Sequence, residues 1–316
     1  MSTVDPADLS LDAVPTGLAA PAPTGVSAVR AATAGAKKRL SRPWASLVAV
    51  ILAVLWTLPT FGLFVSSFRP EKDINTSGWW TVFNNPSFTL DNYKAVLGSN
   101  SSTSLAPFIV NSIVITIPAV VIPILIASLA AYSFAWMDFR GKNILFVAVF
   151  ALQVVPLQVT LIPLLTLYVD AGIAGTFWSL WISHTMFALP LAVFLLHNFM
   201  REIPGELIEA ARVDGAGHVT IFFRMMLPIL KPAIAAFGIY QFLWVWNDLL
   251  VALTFAGASN TVAPMTVALF NLTGQRGNQW FLLTAGAFVS IIVPVVVFLS
   301  LQRYFVRGLL AGSVKG

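Results

Sequence analysis

The chain has 316 residues, of which 58% are hydrophobic and only 10% charged, and its mean hydropathy is +0.84. A soluble domain of this length carries roughly 25% charged residues, so the composition excludes a water-facing surface all round and makes lipid the solvent. Cysteine is absent, which excludes disulfides and thiolate metal sites.

In chain order, residues 1–43 come first, rich in Ala, Pro, Thr and Ser. Such a segment cannot bury a core, and a disordered cytoplasmic tail is expected. Asp5, Asp8 and Asp12 argue against a signal peptide, as does the basic cluster Lys37–Arg42 ahead of a full-length apolar run. Residues 44–316 then form one transmembrane domain. Six runs are long enough to cross a hydrocarbon core of about 30 Å: Trp44–Ser66, Phe108–Phe134, Ile144–Tyr168, Trp178–Leu196, Pro232–Phe255 and Trp280–Leu301. They are too long and continuous for barrel strands. The predicted fold class is therefore all-α, a polytopic membrane protein of six helices.

Charge in the loops sets the orientation. With the N-terminus inside, fourteen Lys and Arg fall on the cytoplasmic side. Only Arg69, Lys72, Lys94 and Arg276 fall outside. The positive-inside rule then puts both termini in the cytoplasm. The net charge of +5 reflects this topology and calls for no nucleic-acid partner. In the outer loop after the first run, Trp79 and Trp80 read as interface anchors. Pro156, Pro163 and Pro190 should each bend their helices and free a carbonyl. The two halves show no repeat, which withholds support from an inverted-repeat secondary transporter.

Between the fourth and fifth runs lies "EAARVDGAGHVTIFFRMMLP", residues 209–228, unusually charged for this chain. Pro204 suits a first helical position, Glu206 adds negative charge to the first turn, and Leu207, Ile208 and Ala211 share a face. Gly215 reads as the left-handed residue that closes this helix. Val219, Phe222, Phe223 and Met226 follow at i, i+3, i+4, i+7 spacing, giving a second short helix that Pro228 stops. The result is a charged-rimmed knob. Three readings remain open from the residues: a helix on the membrane interface, a loop packed on its own bundle, or a docking element for a cytoplasmic partner.

No GxxxxGK[ST] phosphate loop or HExxH motif is present in the sequence. His184, His197 and His218 lack mutual ligand spacing. A membrane protease would need a Ser–His pair; Ser183 and His184 are adjacent in a helix and point about 100° apart. Polar residues inside spans are expensive, and Asn111, Gln153, Gln158, His184, Gln241, Asn247 and Asp248 stand out. Each could bridge helices or cap a span. In the fifth run, Tyr240, Trp244 and Asn247 lie at i, i+4, i+7, with Gln241 and Asp248 on a neighbouring line. An aromatic plate flanked by amides and a carboxylate suits a polyol ligand, although an aromatic belt at the outer interface would use the same residues.

The spacing Glu209-Ala210-Ala211, Gly215, Met225, Leu227-Pro228 resembles the "EAA" motif of ABC-importer permeases, with Met225 where the family usually has Ile. "NPSFTLDNYKAVL", "FIVNSIVIT", "FLLHNFMREIPGELIEAARVDGAG", "FLWVWNDLL" and "YFVRGLLAGSVKG" resemble the carbohydrate branch of that family, of the maltose type. "TSGWW" and "QRGNQWFLLTAGAF" are similar to α-glucoside systems. The resemblance implies the type I importer permease fold in a bacterial inner membrane, with the quoted loop as a coupling helix. Glu209, Ala210, Ala211, Asp214, Gly215, Leu227 and Pro228 would then seat against a separate ATPase subunit, which hydrolyses the ATP. It also implies a second homologous permease subunit, two ATPase subunits, an extracytoplasmic sugar-binding protein and a sugar substrate, with no cofactor. An ion-coupled secondary transporter is the alternative. It would want acids at mid-membrane, whereas Asp170 and Asp248 fall near span ends. Reporter fusions test the topology: those after Asn92 and Asn271 should read outside, and those after Arg140 and Glu209 inside. An inverted pattern would remove the quoted loop from the cytoplasm.

Overall fold

The computed structural model describes residues 43–98, 103–257, 261–273 and 279–313; the N-terminal segment expected to be a tail lies almost wholly outside them. The chain divides into two compact units between Thr60 and Phe61. The first, in its described part, is one continuous apolar helical stretch. The division falls inside α1 (Pro43–Ser67). After it come α2 (Glu71–Thr76), a 3₁₀ turn (Trp79–Phe83), α3 (Asp91–Leu97) and the long α4 (Ala106–Trp136). The chain continues through α5 (Lys142–Ala151), α6 (Leu157–Asp170) and α7 (Phe177–Arg201). The loop helices α8 (Gly205–Val213) and α9 (His218–Ile221) lead to α10 (Lys231–Trp246), α11 (Leu250–Phe255), α12 (Met265–Thr273) and α13 (Trp280–Ser313).

Among the described residues, four helices are long and apolar enough to cross a membrane: α1, α4, α7 and residues 280–302 of α13. The third and fifth predicted spans differ from the continuous helices expected. The third is broken at Val155–Pro156, where α5 with its terminal turn meets α6 at 101°. A residue before proline is pushed out of helical geometry, and Val155 is extended at φ −69°, ψ 119°. Pro163 and Pro190, expected to act similarly, remain inside α6 and α7. The fifth ends at Trp246, not Phe255, and ahead of it the loop stretch His218–Ile229 meets α10 at 69° around Leu230. Asn247 leaves the helix at φ −94°, ψ 2°, and α11 is a separate turn. The count is thus four continuous spans, or six if each bent pair is one span.

The end of α1 and the following loop are tied by buried polar groups. Arg69, 1% exposed, donates to the Gly78 carbonyl (2.8 Å), Ser77 Oγ (3.0 Å) and Thr81 Oγ1 (2.9 Å). Asn92 Nδ2 donates to the Ser67 and Arg69 carbonyls at 3.0 and 2.8 Å, pairing acceptors that the end of α1 leaves open. Gly62 lets the Trp79 indole sit against the helix; a Cβ there would lie 2.6 Å from Trp79 Nε1.

Prolines in the second unit expose a further rule. A helical proline removes the N–H that would bond the carbonyl four residues earlier. Pro118 and Pro123 in α4 free Val114 and Ala119, and Pro294 in α13 frees Ser290. Each of these carbonyls accepts a side chain from another helix. Trp181 Nε1 donates to Val114 O (3.0 Å), Gln241 Nε2 to Ala119 O (3.3 Å) and Trp246 Nε1 to Ser290 O (3.2 Å). Three freed carbonyls therefore serve as sockets that lock α7 and α10 to α4, and α10 to α13. Interhelical bonds in membranes are worth about 0.6 kcal/mol, up to about 1.7. Trp181→Phe should lower stability within that range in a detergent unfolding titration. In a Pro118→Ala background the same change should cost less, because the substituted residue regains an N–H that can bond the Val114 carbonyl. Equal losses in both backgrounds would show that the socket carries no stability.

Candidate functional site

Two regions concentrate the predicted residues. The first is the loop between α7 and α10. Its α8 begins after Pro204, which flanks the helix and is not its first residue as the sequence suggested. The helix ends in a Schellman arrangement: Ala216 N–H donates to the Ala211 carbonyl (2.9 Å) and Gly215 N–H to the Arg212 carbonyl (3.0 Å). Gly215 takes φ +82°, the left-handed region predicted for it. Ala211 and Gly215 thus each take part in the turn, bonded to Ala216 and Arg212 respectively, while Glu209, Ala210 and Asp214 are exposed on the knob. The second arm differs from the single apolar face expected. After α9 the chain widens into a π turn, Phe222–Met226, before Leu227–Ile229. Ile208, Ile221, Phe222 and Met226 are buried in a cluster with Ala131 and Tyr132 of α4 and Leu196 and Met200 of α7. Val219 and Phe223 stay exposed instead, at 72% and 59%. The knob is therefore anchored on its own bundle and still presents an apolar outer surface. Leu227 is half-buried and Pro228 exposed, at the start of the turn that leads to the 69° bend.

The second region is a cavity of about 860 Å³. It opens where the third span breaks, and its wall is completed by α6, α7, α10 and Asp248. Sites for small ligands run from about 300 to 1,000 Å³. Tyr240 and Trp244, one turn apart on α10, both line it, with ring centroids 6.1 Å apart and an interplanar angle of 32°. Gln153, Gln158 and Thr160 come from the break. Gln241 belongs to the same wall but is buried, its amide N–H donated to Ala119 O. Asn247 stands apart: it is absent from the wall, and its side chain donates to the Leu243 carbonyl of its own helix (2.8 Å). Asp248 lines the cavity and also organises the break. Its carboxylate accepts the Val251 and Ala252 N–H groups (3.3 and 2.9 Å), capping α11, and its carbonyl accepts Thr266 Oγ1 (2.5 Å). His184 Nε2 lies 3.9 Å from the carboxylate. Of the remaining polar span residues, Asn111 Nδ2 donates to the Ala263 carbonyl (3.0 Å). Ser183 bonds Tyr168 (2.9 Å) and the Ser179 carbonyl, so its hydroxyl is committed within the bundle.

The sequence singled out Gln153, Gln158, Pro163 and Pro190 separately and did not show that they share one cavity wall. Val159 and Met186, whose carbonyls are freed by Pro163 and Pro190, line the cavity together with both prolines. A helical carbonyl points toward the residue four positions on, and here each points toward a proline that itself lines the cavity. No side-chain donor to either is found among the described residues. The freed carbonyls were expected from the two prolines; their shared border on one cavity was not.

A helical bundle with broken spans around a cavity and a folded, anchored loop between two spans defines a membrane transport component. Residues 119–310 match the family of the binding-protein-dependent transport system inner membrane component, and the chain belongs to that family. It is a multi-pass inner-membrane permease of the ABC-importer class, and permease subunits of this class are not themselves enzymes. The osmoprotective compounds uptake permease protein GgtD of Synechocystis is 55% identical over 268 residues, covering 84% of this chain and 89% of the relative. The alpha-glucoside transport system permease protein AglG of Rhizobium meliloti is 38% identical, covering 88% and 99%. Among solved structures, a bacterial ABC transporter involved in import of the acidic polysaccharide alginate shares the fold, with a TM-score of 0.68 at 19% identity. That match covers 85% of this chain and 98% of the other.

Asp248→Ala removes the acceptor that caps α11. Loss of an N-terminal cap costs about 0.5–2 kcal/mol. The Val251 and Ala252 amides should then exchange with deuterium several-fold faster, measured against amides of α4 as reference. Unchanged exchange at these two positions would remove the capping role.

Proposed function

We propose that the chain carries an uncharged sugar, an α-glucoside or another oligosaccharide, into the cytoplasm. The observation that supports this most directly is the cavity wall. Tyr240 and Trp244 offer apolar ring surface for the C–H faces of a pyranose. Gln153, Gln158 and the freed carbonyls of Val159 and Met186 offer directional partners for hydroxyls. Among the described residues, Asp248 is the sole charged side chain in that wall, and no Lys or Arg lines it. An acidic saccharide would meet a carboxylate and no cation. The relatives' names agree: they include permeases for alpha-glucosides, for arabinooligosaccharides and for melibiose, raffinose and stachyose.

In this reading Tyr240, Trp244 and Asp248 line the pathway, Gln241 holds its wall in place, and Asn247 acts at the end of α10. Residues 44–316 form the permease domain, with both termini and residues 1–43 on the cytoplasmic side. The knob then faces the cytoplasm and seats in a cleft of an ATPase subunit. Glu209 supplies a polar contact, Ala210 and Ala211 allow close approach, and Gly215 with Asp214 makes the turn. Leu227 and Pro228 carry the chain back toward the membrane. The full assembly comprises a second homologous permease, two ATPase subunits and an extracytoplasmic sugar-binding protein. The family's description as binding-protein-dependent supports the last of these.

Uptake by the reconstituted complex tests both sites. Trp244→Ala should lower sugar uptake several-fold with assembly intact, since an aromatic stack is worth about 0.5–1.5 kcal/mol beyond its area. Gly215→Val places a β-branched residue at φ +82°, where a non-glycine residue costs about 1–3 kcal/mol. Normal membrane levels, lost uptake and weakened ATPase attachment are expected. Wild-type uptake by Trp244→Ala would retire the cavity site, and wild-type uptake by Gly215→Val would retire the mechanical role of the loop.

A further inference from the structure

The cytoplasmic-knob reading places one end of α4 beside the loop, and the helix is pinned by hydrogen bonds at both of its ends. At the loop end, the Tyr132 hydroxyl bonds His218 Nδ1 at 3.0 Å, and the Tyr132 ring meets Phe222 edge-on with centroids 5.3 Å apart. Arg212 Nη2 donates to the Trp136 carbonyl at 3.4 Å. These contacts join both arms of the knob to the last turns of one helix. At the other end, Asn111 Nδ2 donates to the Ala263 carbonyl (3.0 Å), and Ser112 Oγ accepts the Met265 N–H (2.8 Å). All four residues of that contact are buried. They fasten α4 to the start of α12, in the segment between the last two spans.

Between Ser112 and Tyr132 lie twenty helical rises, about 30 Å at 1.5 Å each, which matches the hydrocarbon thickness. A helix fastened at both faces of the bilayer cannot move at one end without moving or straining the other. Its two interior prolines would make it compliant, but the Trp181 and Gln241 sockets take up both freed carbonyls. We propose that α4 is the rod that carries movement of the knob across the membrane to the 261–273 segment. Tyr132 and His218 are the positioning residues at one end, and Asn111 and Ser112 at the other. The inference rests on the topology proposed above and adds a route: displacement of the knob reaches the outer face through this helix.

The chain has no cysteine, so exposed Asn271 in α12 can be replaced by a single labelling site. The complex with its ATPase subunits and binding protein is reconstituted with Asn271→Cys. A membrane-impermeant maleimide is added from outside, either without nucleotide or after trapping with ATP and vanadate. In the otherwise unaltered chain the labelling rate should differ several-fold between the two states. Tyr132→Phe, which keeps the ring against Phe222 and deletes the hydroxyl, should cut that difference at least threefold. It should also raise the ATP consumed per sugar imported. Ser112→Ala should do the same from the other end. His218→Ala should match Tyr132→Phe, and the double variant should be no worse than either, as expected for two halves of one bond. A full nucleotide-dependent difference in Tyr132→Phe and Ser112→Ala would overturn the rod and leave the knob's role standing. Loss of ATPase co-purification with Tyr132→Phe would also overturn it, by showing that the bond seats the knob and does not transmit. Absence of labelling from outside would sink the topology and the rod together, and no difference in the unaltered chain would sink the rod alone.

Discussion

In hydrocarbon, a backbone carbonyl without a donor has no water to turn to, and each such group costs several kcal/mol. A bundle rich in prolines must therefore find donors elsewhere, and this need organises the second unit. Trp181, Gln241 and Trp246 are large polar-tipped side chains whose N–H groups would be expensive in lipid on their own. Each is matched to a carbonyl four residues before a proline. Two liabilities cancel, and the bond that cancels them joins two helices. The cavity wall is the exception: Val159 and Met186, four residues before Pro163 and Pro190, line the cavity, and no side-chain donor to their carbonyls is found among the described residues.

The same constraint explains what could be read from the sequence. Length and apolarity located every long helix, because a run of apolar residues needs no partner to be recognised. Loop glycine chemistry was equally legible. Gly215 takes its positive φ because the Schellman turn demands it, and a glycine just past a helical pattern announces that turn. The breaks were harder. Pro156 ends its helix whereas Pro163 and Pro190 do not. Likewise the fifth run looked continuous through Phe255, since Asn247 and Asp248 interrupt it for only two residues. That interruption becomes a break because the Asp248 carboxylate captures the first amides of α11, a competition invisible to hydropathy.

The candidate site was half legible for a related reason. Tyr240 and Trp244 share a helical face, and periodicity finds shared faces. Gln241 was grouped with them by type and spacing, and it does border the cavity. Its amide, however, is held by Ala119, a residue 122 positions earlier in the chain. No local pattern reports such a pairing. The π turn at Phe222–Met226 misled the reading of the knob in the same way. It shifts the register within one arm, so residues expected on one face divide between core and surface.

These divisions give α10 two duties on one helix. Gln241 and Trp246 fasten it to α4 and α13, while Tyr240 and Trp244 face the cavity one residue or two away. A wall built this way cannot yield locally: moving the aromatic pair by a few ångström while α4 stays still would pull Gln241 off a carbonyl that Pro123 leaves without its regular helical donor. The energetically open course is for α4, α10 and the sockets between them to move as one body, with flexing confined to the helix breaks at Leu230 and at Asn247–Leu249. The cavity's shape and the position of the knob are then two readouts of a single coordinate. That coupling needs both the proline sockets and the contacts of Tyr132 and Trp136 that hold the knob to α4.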